Sequence, residues 1–173
     1  MKKYIPSMYK KTIFDINFKK LKDKNIKCLI FDLDNTLISK KEKIPSKKIT
    51  ELIKSLKKDF NIYILSNNSS KKRVGTVAEH LGVNYINFAL KPFSFGFKKI
   101  RKKTNYKYEE MCIIGDQLLT DVAGGNKIKA FTVFLEPLEN VDLKITSLNR
   151  FIEKRKIKKL ERLKLFKRGE FYG

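Results

Sequence analysis

The sequence predicts an α/β fold in which one parallel β-sheet carries helices on both faces. Two observations lead to this fold class. Short apolar runs, typical of strands that are covered on both sides, alternate with segments in which apolar residues recur at helical spacing. Strands joined by helical segments form right-handed βαβ units, which build a parallel sheet. The 173 residues, 42% of them hydrophobic, are enough for one domain with its own core.

The predicted strands and helices alternate along the chain. Strands are predicted at residues 27–33, 61–66, 84–88, 110–116 and 130–135. One helix is predicted after the N-cap Ser46, and a second from about Ser70 to the stop signal of Gly82. Residues 94–103 and 118–127 are the remaining predicted helices. In such a sheet the ligand site lies beyond the carboxyl ends of the strands, so residues there are the candidates for function.

The chain is predicted to have two regions. Residues 1–147 form the α/β core with an N-terminal extension, and residues 148–173 form a basic C-terminal helix or tail on or beside it. Within residues 150–168, the apolar side chains fall mostly on one side of a helical wheel and the basic ones mostly on the other. Such a helix can lie on an anionic bilayer, or it can pack on the sheet with its basic face in solvent. The sequence leaves both interpretations open.

The charge balance is strongly basic, with 40 Lys and Arg against 18 Asp and Glu and a net charge of +22. This charge predicts attraction to phosphate-bearing polymers or anionic membranes, although a Lys-rich composition alone also accounts for it. No apolar stretch reaches the roughly 18 residues that cross a bilayer, so we expect a cytoplasmic protein, with peripheral attachment to the inner membrane surface as an alternative. Cys28 and Cys112 lie in predicted strands and should be buried, reduced thiols.

Polar side chains follow four consecutive predicted strands. They are Asp32, Asp34 and Thr36 after the first strand, Ser66 and Asn67 after the second, Lys91 after the third, and Asp116 and Asp121 after the fourth. Each of them alone has an ordinary explanation as a turn or a helix cap. Their occurrence at four successive strand ends favours a single shared site, because the carboxyl ends of parallel strands meet at one edge of the sheet.

The residue types in this set predict metal-assisted phosphoryl transfer. Several carboxylates in oxygen-rich surroundings favour a hard cation such as Mg²⁺, which usually binds through one or two carboxylates, water and substrate phosphate. A hydroxyl group, backbone amides and a lysine can hold the remaining phosphate oxygens. One carboxylate is then free to attack phosphorus, and another can transfer protons to the leaving oxygen and from water.

These motifs resemble those of the haloacid dehalogenase (HAD) superfamily of phosphatases. The superfamily pattern is DxDxT, a strand-end Ser, a Lys and GDxxxxD, and all four occur in this order between Asp32 and Asp121. The longer strings FDLDNTL, LSNN, KP and GDQLLTDVAGGN resemble the YqeG-type family of HAD subclass IIIA over nearly the whole chain. That family is similar to a mitochondrial phosphatidylglycerophosphate phosphatase family. The resemblance implies a three-layer, Rossmann-like HAD fold.

The resemblance also implies a role for each catalytic residue. Asp32 would be the nucleophile and a Mg²⁺ ligand, and Asp34 the general acid and base, with its main-chain carbonyl on the metal. Lys91 would stabilise the charge on the phosphate and the nucleophile. Ser66 and Asn67 would bind phosphoryl oxygens together with Lys91.

Three further positions complete the site that the resemblance implies. Asp116 would be a metal ligand. Asp121 would orient either the waters of the metal or Lys91, and Thr36 would be a supporting residue.

The spacing of the motifs predicts an open site. The stretches on either side of Ser66, back to Asp34 and forward to Lys91, are filled by predicted helices, one strand and loops, which leaves no room for a cap domain. An open site suits a phosphate on a large or membrane-anchored substrate, such as phosphatidylglycerophosphate. The alternatives are a polynucleotide 3′-phosphatase, for which no nucleic-acid-binding motif is present, and a basic RNA- or ribosome-binding factor with a vestigial HAD site. The sequence predicts no oligomeric state.

Overall fold

The computed structural model describes residues 1–139 and 144–173, and within them six parallel strands form one sheet. The strands are β1 (Met8–Lys10), β2 (Cys28–Phe31), β3 (Asn61–Leu65), β4 (Asn84–Ile86), β5 (Met111–Gly115) and β6 (Phe131–Leu135). Their spatial order is β1-β6-β5-β2-β3-β4. The helices are α1 (Phe18–Asp23), α2 (Lys47–Leu56), α3 (Lys71–Leu81), α4 (Phe95–Thr104), α5 (Ala123–Lys127) and α6 (Lys144–Arg162). The predicted α/β fold is confirmed.

Both faces of the sheet are covered because side chains alternate along each strand. In β2, Leu29 and Phe31 belong to a cluster that is completed by residues of α1, α2 and α3. Cys28 and Ile30 point to the other face, where a second cluster includes Phe97 of α4. All residues of β2 are therefore buried, which explains why this strand is a continuous apolar run.

The helix boundaries follow the capping signals of the sequence. The Ser46 side chain accepts a hydrogen bond from the Ile49 amide at the start of α2, and the Ser70 side chain does the same for the Arg73 amide at the start of α3. Helix α3 ends at Gly82, whose φ of 60° lies in the left-handed region. The predicted N-caps and the predicted stop signal are confirmed.

Strand β1 is an addition to the predicted fold. The N-terminal extension contributes it to the edge of the sheet, where Met8 lies opposite Val133 and Lys10 opposite Leu135 of β6. Three residues are too few to show the periodicity of a strand. Only the pairing with β6 defines this element, so the sequence pattern did not reveal it.

The helix predicted at residues 118–127 requires a correction. Leu118–Val122 form a π-helical turn, and the regular helix α5 begins only at Ala123. In this turn the amides of Asp121 and Val122 both donate to the carbonyl oxygen of Gln117, at 3.0 and 3.3 Å. Turns of this kind occur frequently at functional sites. Apolar periodicity does not distinguish such a wide turn from an α-helix.

The C-terminal segment packs on the sheet. Ile157 and Leu160 of α6, together with Phe166, are buried in a cluster with Tyr9 of β1 and Phe134 of β6. Most of the apolar stripe that could have faced a bilayer therefore contacts the core instead. Helix α6 begins at Lys144 and so crosses the proposed division at residue 147, which stays a prediction. None of the described helices is both long and apolar enough to cross a membrane.

Both cysteines are free and buried, as predicted. Burial raises the pKa of the Cys28 thiol to about 12, and it also raises the pKa of the Cys112 thiol. The reactive thiolate is therefore disfavoured at both positions.

The C-terminal cluster provides a test of the packing. The Phe166 ring lies 5.0 Å from the Tyr9 ring and 6.0 Å from the Phe134 ring, measured between centroids. Because Phe166→Ala removes a buried ring, we expect the free energy of unfolding to fall by about 3–5 kcal/mol, measured by urea denaturation. The neighbouring Leu165 is 44% exposed, and Leu165→Ala should cost less than about 0.5 kcal/mol. Equal losses in the two variants would contradict this packing.

Candidate active site

Four loops meet at the carboxyl edge of the sheet. Asp32 follows β2, Ser66 follows β3, Lys91 lies after β4, and Asp116 follows β5. Because β2 lies between β5 and β3, with β4 next to β3, these loops are neighbours in space. All four residues are buried, and none is more than 7% exposed. The structure thus gathers polar residues that are far apart in the sequence.

Lys91 lies at the centre of this edge. Its Nζ donates to Oδ1 of Asp32 and to Oδ1 of Asp121, each at 2.6 Å. Burial alone would lower the pKa of Lys91, but the charges of Asp121 and Asp32 raise it above its usual value, so the side chain stays protonated. The Asn67 side chain holds the main chain of Lys91. Its Oδ1 accepts a hydrogen bond from the Lys91 amide at 2.7 Å, and its Nδ2 donates one to the Lys91 carbonyl at 3.0 Å.

Asp32, Asp116 and Asp121 form a buried carboxylate cluster. One oxygen of each lies within 4.8 Å of the others. Burial raises the pKa of Asp32 to about 7; the charge of Lys91 opposes this rise, and the charge of Asp121 adds to it. Asp32 and Asp121 both contact Lys91, and Asp116 lies beside them, so a divalent cation bound here would offset the mutual repulsion of the three carboxylates. Oxygen ligands of this kind fit a hard metal ion.

Asp121 reaches the cluster because Gly115 leaves space for it. A Cβ atom on Gly115 would lie only 2.3 Å from Oδ2 of Asp121. The same carboxylate accepts from the Gln117 amide at 3.2 Å, which fixes it at the start of the π-helical turn. Of the two partners expected for Asp121, the structure shows Lys91 in direct contact. Asp121 also offers a ligand atom to the cluster, which the sequence-predicted metal ligands did not include.

Two hydroxyl groups lie beside the charged residues. Thr36 donates from Oγ1 to Oδ1 of Asp116 at 3.5 Å, a long contact that supports the carboxylate from the loop after β2. Oγ of Ser66 accepts from the Asn68 amide at 3.1 Å and is buried at the end of β3. The hydroxyl hydrogen of Ser66 is therefore free to point toward a ligand.

Asp34 lies apart from the carboxylate cluster and has its own partners. Nε and Nη2 of Arg73 both donate to its Oδ1, at 3.0 and 2.7 Å, and the Asn68 side chain donates to its Oδ2 at 3.0 Å. Arg73 also donates to the main-chain carbonyls of Ser39 and Glu42, at 3.0 and 2.8 Å. The guanidinium group thus connects the first turn of α3 to the loop after β2 and orients Asp34 at the mouth of the site.

Sequence reasoning missed Arg73. It is one of three basic residues in a row at the start of α3, Lys71 to Arg73, and nothing in the pattern distinguishes it from its neighbours. Its relation to Asp34 depends on how α3 packs against the loop after β2, which only the three-dimensional structure reveals.

The stretch between the first and third motifs contains only core elements. Between Asp34 and Lys91, a stretch that the structure describes completely, the chain forms α2, β3, α3, β4 and their connecting loops. No cap domain is therefore inserted between these two residues, as the spacing of the motifs predicts.

Fold and site together define a phosphatase of the HAD superfamily. The family described as mitochondrial PGP phosphatase matches residues 1–138. "Probable phosphatase YqeG" of Bacillus subtilis (strain 168) is 36% identical over 160 residues, which are 92% of each chain. The chain belongs to this PGP phosphatase family.

Two solved structures share the fold. The cobalt-bound form of the deoxy-D-mannose-octulosonate 8-phosphate phosphatase from Haemophilus influenzae has 22% identity and a TM-score of 0.53, covering 67% of this chain and 70% of that one. An uncharacterized protein from Listeria monocytogenes serotype 4b has 15% identity and a TM-score of 0.54, covering 76% of this chain and all of the other. At these identities the likeness shows the fold.

The contact between Arg73 and Asp34 predicts a positioning role for the arginine. Because Arg73→Met removes both donors to Asp34, it should lower kcat for phosphate-ester hydrolysis by about tenfold or more with a smaller change in KM. Arg73→Lys should recover only part of the loss, because lysine lacks the planar fork. Steady-state kinetics with p-nitrophenyl phosphate measures both parameters.

A matched control lies next to this residue. Lys72 is exposed on α3, and Lys72→Met removes the same charge without touching Asp34. We expect it to leave kcat unchanged. An equal effect of the two substitutions would mean that Arg73 acts through general charge rather than through Asp34.

Proposed function

We propose that this phosphatase is a Mg²⁺-dependent phosphomonoester hydrolase that works through an aspartyl-phosphate intermediate. The observation that carries the proposal is the contact of buried Lys91 with both Asp32 and Asp121, beside Asp116. Phosphoryl transfer needs a nucleophile, positive charge and metal ligands within reach of one phosphoryl group, and this cluster offers all three.

In the first step, the Asp32 carboxylate attacks phosphorus and the bond from phosphorus to the leaving oxygen breaks. Lys91, the Ser66 hydroxyl and Asn67 hold the other phosphoryl oxygens and offset their negative charge. The product alcohol departs and Asp32 carries the phosphoryl group. In the second step, water attacks this phosphorus, which releases inorganic phosphate and restores the carboxylate.

Asp34 moves the protons in both steps. It donates a proton to the leaving oxygen in the first step and takes one from the attacking water in the second. Its surroundings support this role, because its carboxylate lies outside the carboxylate cluster and is 18% exposed at the mouth of the site. Arg73 and Asn68 hold its carboxylate in one orientation.

Mg²⁺ would be held by the side chains of Asp32 and Asp116 and by the main-chain carbonyl of Asp34. Asp121 would orient its waters or Lys91. When bound, the ion supplies positive charge that stabilises the phosphoryl group as charge develops on it. The fit rests on the chemistry of the donor set, which is three buried carboxylates with one oxygen of each within 4.8 Å of the others.

The substrate that we propose is phosphatidylglycerophosphate or another large anionic molecule. The family description names PGP, and residues 34–91 contain no cap that could enclose a small metabolite. The net charge of +22 favours anionic substrates and surfaces. A lipid phosphate suits a basic site without a cap. The phosphate can enter such a site while the rest of the lipid stays in the membrane.

Two substitutions test the mechanism. The wild type should hydrolyse p-nitrophenyl phosphate with Mg²⁺ and lose this activity in EDTA. Asp32→Asn should abolish turnover because it removes the nucleophile, and no phosphoenzyme should be trapped by acid quench. Asp34→Asn should lower kcat by about 10²–10⁴-fold because it removes proton transfer, while Mg²⁺ binding, followed by calorimetry, is largely kept.

Two outcomes would contradict these assignments. Activity that is equal with Mg²⁺ and with EDTA would refute the metal requirement. Loss of Mg²⁺ binding in Asp34→Asn would show that its side chain, rather than its main chain, is a ligand.

A substrate panel tests the substrate class. We expect the highest kcat/KM on phosphatidylglycerophosphate in mixed micelles, above that on a 3′-phosphorylated oligonucleotide and on p-nitrophenyl phosphate, because the open basic mouth suits a phosphate presented at a surface. A preference for the oligonucleotide would favour a polynucleotide 3′-phosphatase instead. Asp32→Asn is the control for contaminating phosphatase in each assay.

A further inference from the structure

Four large apolar side chains on either side of Lys91 in the sequence are exposed. Phe88, Leu90, Phe93 and Phe95 are 56%, 43%, 65% and 50% exposed, whereas Lys91 among them is 6% exposed. We call these four side chains the apolar rim. They lie on the loop from β4 to α4 and on the first residue of α4, at the same edge of the sheet as the site. Exposed apolar groups this close together commonly mark an interaction surface.

The rim is fixed in place by the site itself. The Phe88 amide donates to the Asn68 carbonyl at 3.0 Å, and the next amide, that of buried Ala89, donates to the Ser66 carbonyl at 2.9 Å. Phe88 and Leu90 have φ values of 48° and 56°, in the left-handed region that bulky residues rarely adopt. The backbone of this loop therefore exposes the side chains of Phe88 and Leu90 and leaves the Lys91 side chain buried.

Basic side chains accompany the rim. The Lys99 ammonium lies 4.3 Å from the centre of the Phe95 ring, and the Lys127 ammonium 5.9 Å from that of the Phe93 ring. Aromatic and aliphatic groups flanked by lysines are the combination that binds the interface of an anionic membrane. The apolar groups enter the boundary of the acyl region while the ammonium groups remain among the lipid phosphates.

We infer that the apolar rim inserts into the interfacial layer of an anionic phospholipid bilayer and opens the Lys91 pocket onto the headgroup phosphates. This inference rests on the proposed function only where it assigns a lipid phosphate to the pocket. A second copy of the chain fits the rim less well, because self-association would bring together two basic surfaces of chains that each carry +22. Ile157, Leu160 and Phe166 of the C-terminal segment are buried against β1 and β6, so these side chains are not available for a membrane contact.

The test uses tryptophan, which the chain lacks. Phe93→Trp should give a blue-shifted emission with vesicles of phosphatidylcholine and phosphatidylglycerol, and a smaller shift with phosphatidylcholine alone. Leu163→Trp is the matched control, because Leu163 is also exposed, at 46%, but lies beyond the end of α6. Its emission should not shift. A shift in Leu163→Trp without one in Phe93→Trp would overturn the inference in favour of the tail.

Vesicle sedimentation in EDTA measures affinity without turnover. Phe93→Ser with Phe95→Ser should weaken binding by at least about tenfold, because two apolar side chains no longer enter the bilayer. Leu163→Ser with Leu165→Ser should bind like the wild type. The rim variant should keep its activity on soluble p-nitrophenyl phosphate, which shows that it is folded and separates this test from that of the mechanism.

Three results would overturn the inference. They are a wild type that does not bind anionic vesicles, a rim variant that binds them as well as the wild type, and a wild-type dimer in size-exclusion chromatography that the rim substitutions dissociate while vesicle binding is unchanged. If vesicle binding follows the rim but phosphate esters are not hydrolysed, the membrane contact stands and the proposed function fails.

Discussion

The position of one buried ammonium group determines the organisation of this site. Lys91 contacts Asp32 and Asp121, which lie on different loops, and without it the carboxylates there would repel one another in a medium that solvates charge poorly. Three local features bring these groups together. The Asn67 side chain forms hydrogen bonds with the main chain of Lys91, the π-helical turn carries Asp121, and the absence of a side chain at Gly115 leaves space for the Asp121 carboxylate. The close approach of three carboxylate oxygens is what makes the cluster suitable for a divalent cation.

The two aspartates of the DxD motif have separate environments although they are two residues apart. Asp32 is enclosed with Lys91, and burial raises its pKa to about 7. Asp34 lies at the mouth, where Arg73 and Asn68 hold its carboxylate. A nucleophile and a proton-transfer group need such different surroundings, because one must stay near the phosphate and its charge partners while the other must reach the leaving oxygen and water.

The chain between Asp34 and Lys91 contains no inserted domain, and exposed apolar side chains lie beside Lys91. Without a domain inserted between Asp34 and Lys91, the site is bordered by the strand-end loops themselves, and one of these carries both Lys91 and most of the apolar rim. A surface that binds the membrane beside the lysine would bring a lipid phosphate to the pocket without removing the lipid from the bilayer. The C-terminal segment has a structural role, because its buried side chains pack against β1 and β6.

Local sequence patterns predicted the α/β class, strands β2 to β6, the caps of α2 and α3 and the strand-end residues, because these depend on local periodicity and on the rule that parallel strands share a carboxyl edge. Only the tertiary structure decided the pairing of β1 with β6, the π-helical turn that carries Asp121 and the contact of Arg73 with Asp34. The pairing of β1 with β6 and the contact of Arg73 with Asp34 arise between segments that are distant in the sequence, whereas apolar periodicity does not distinguish the π-helical turn from an α-helix. No local pattern records such contacts, because their energy depends on which elements pack together.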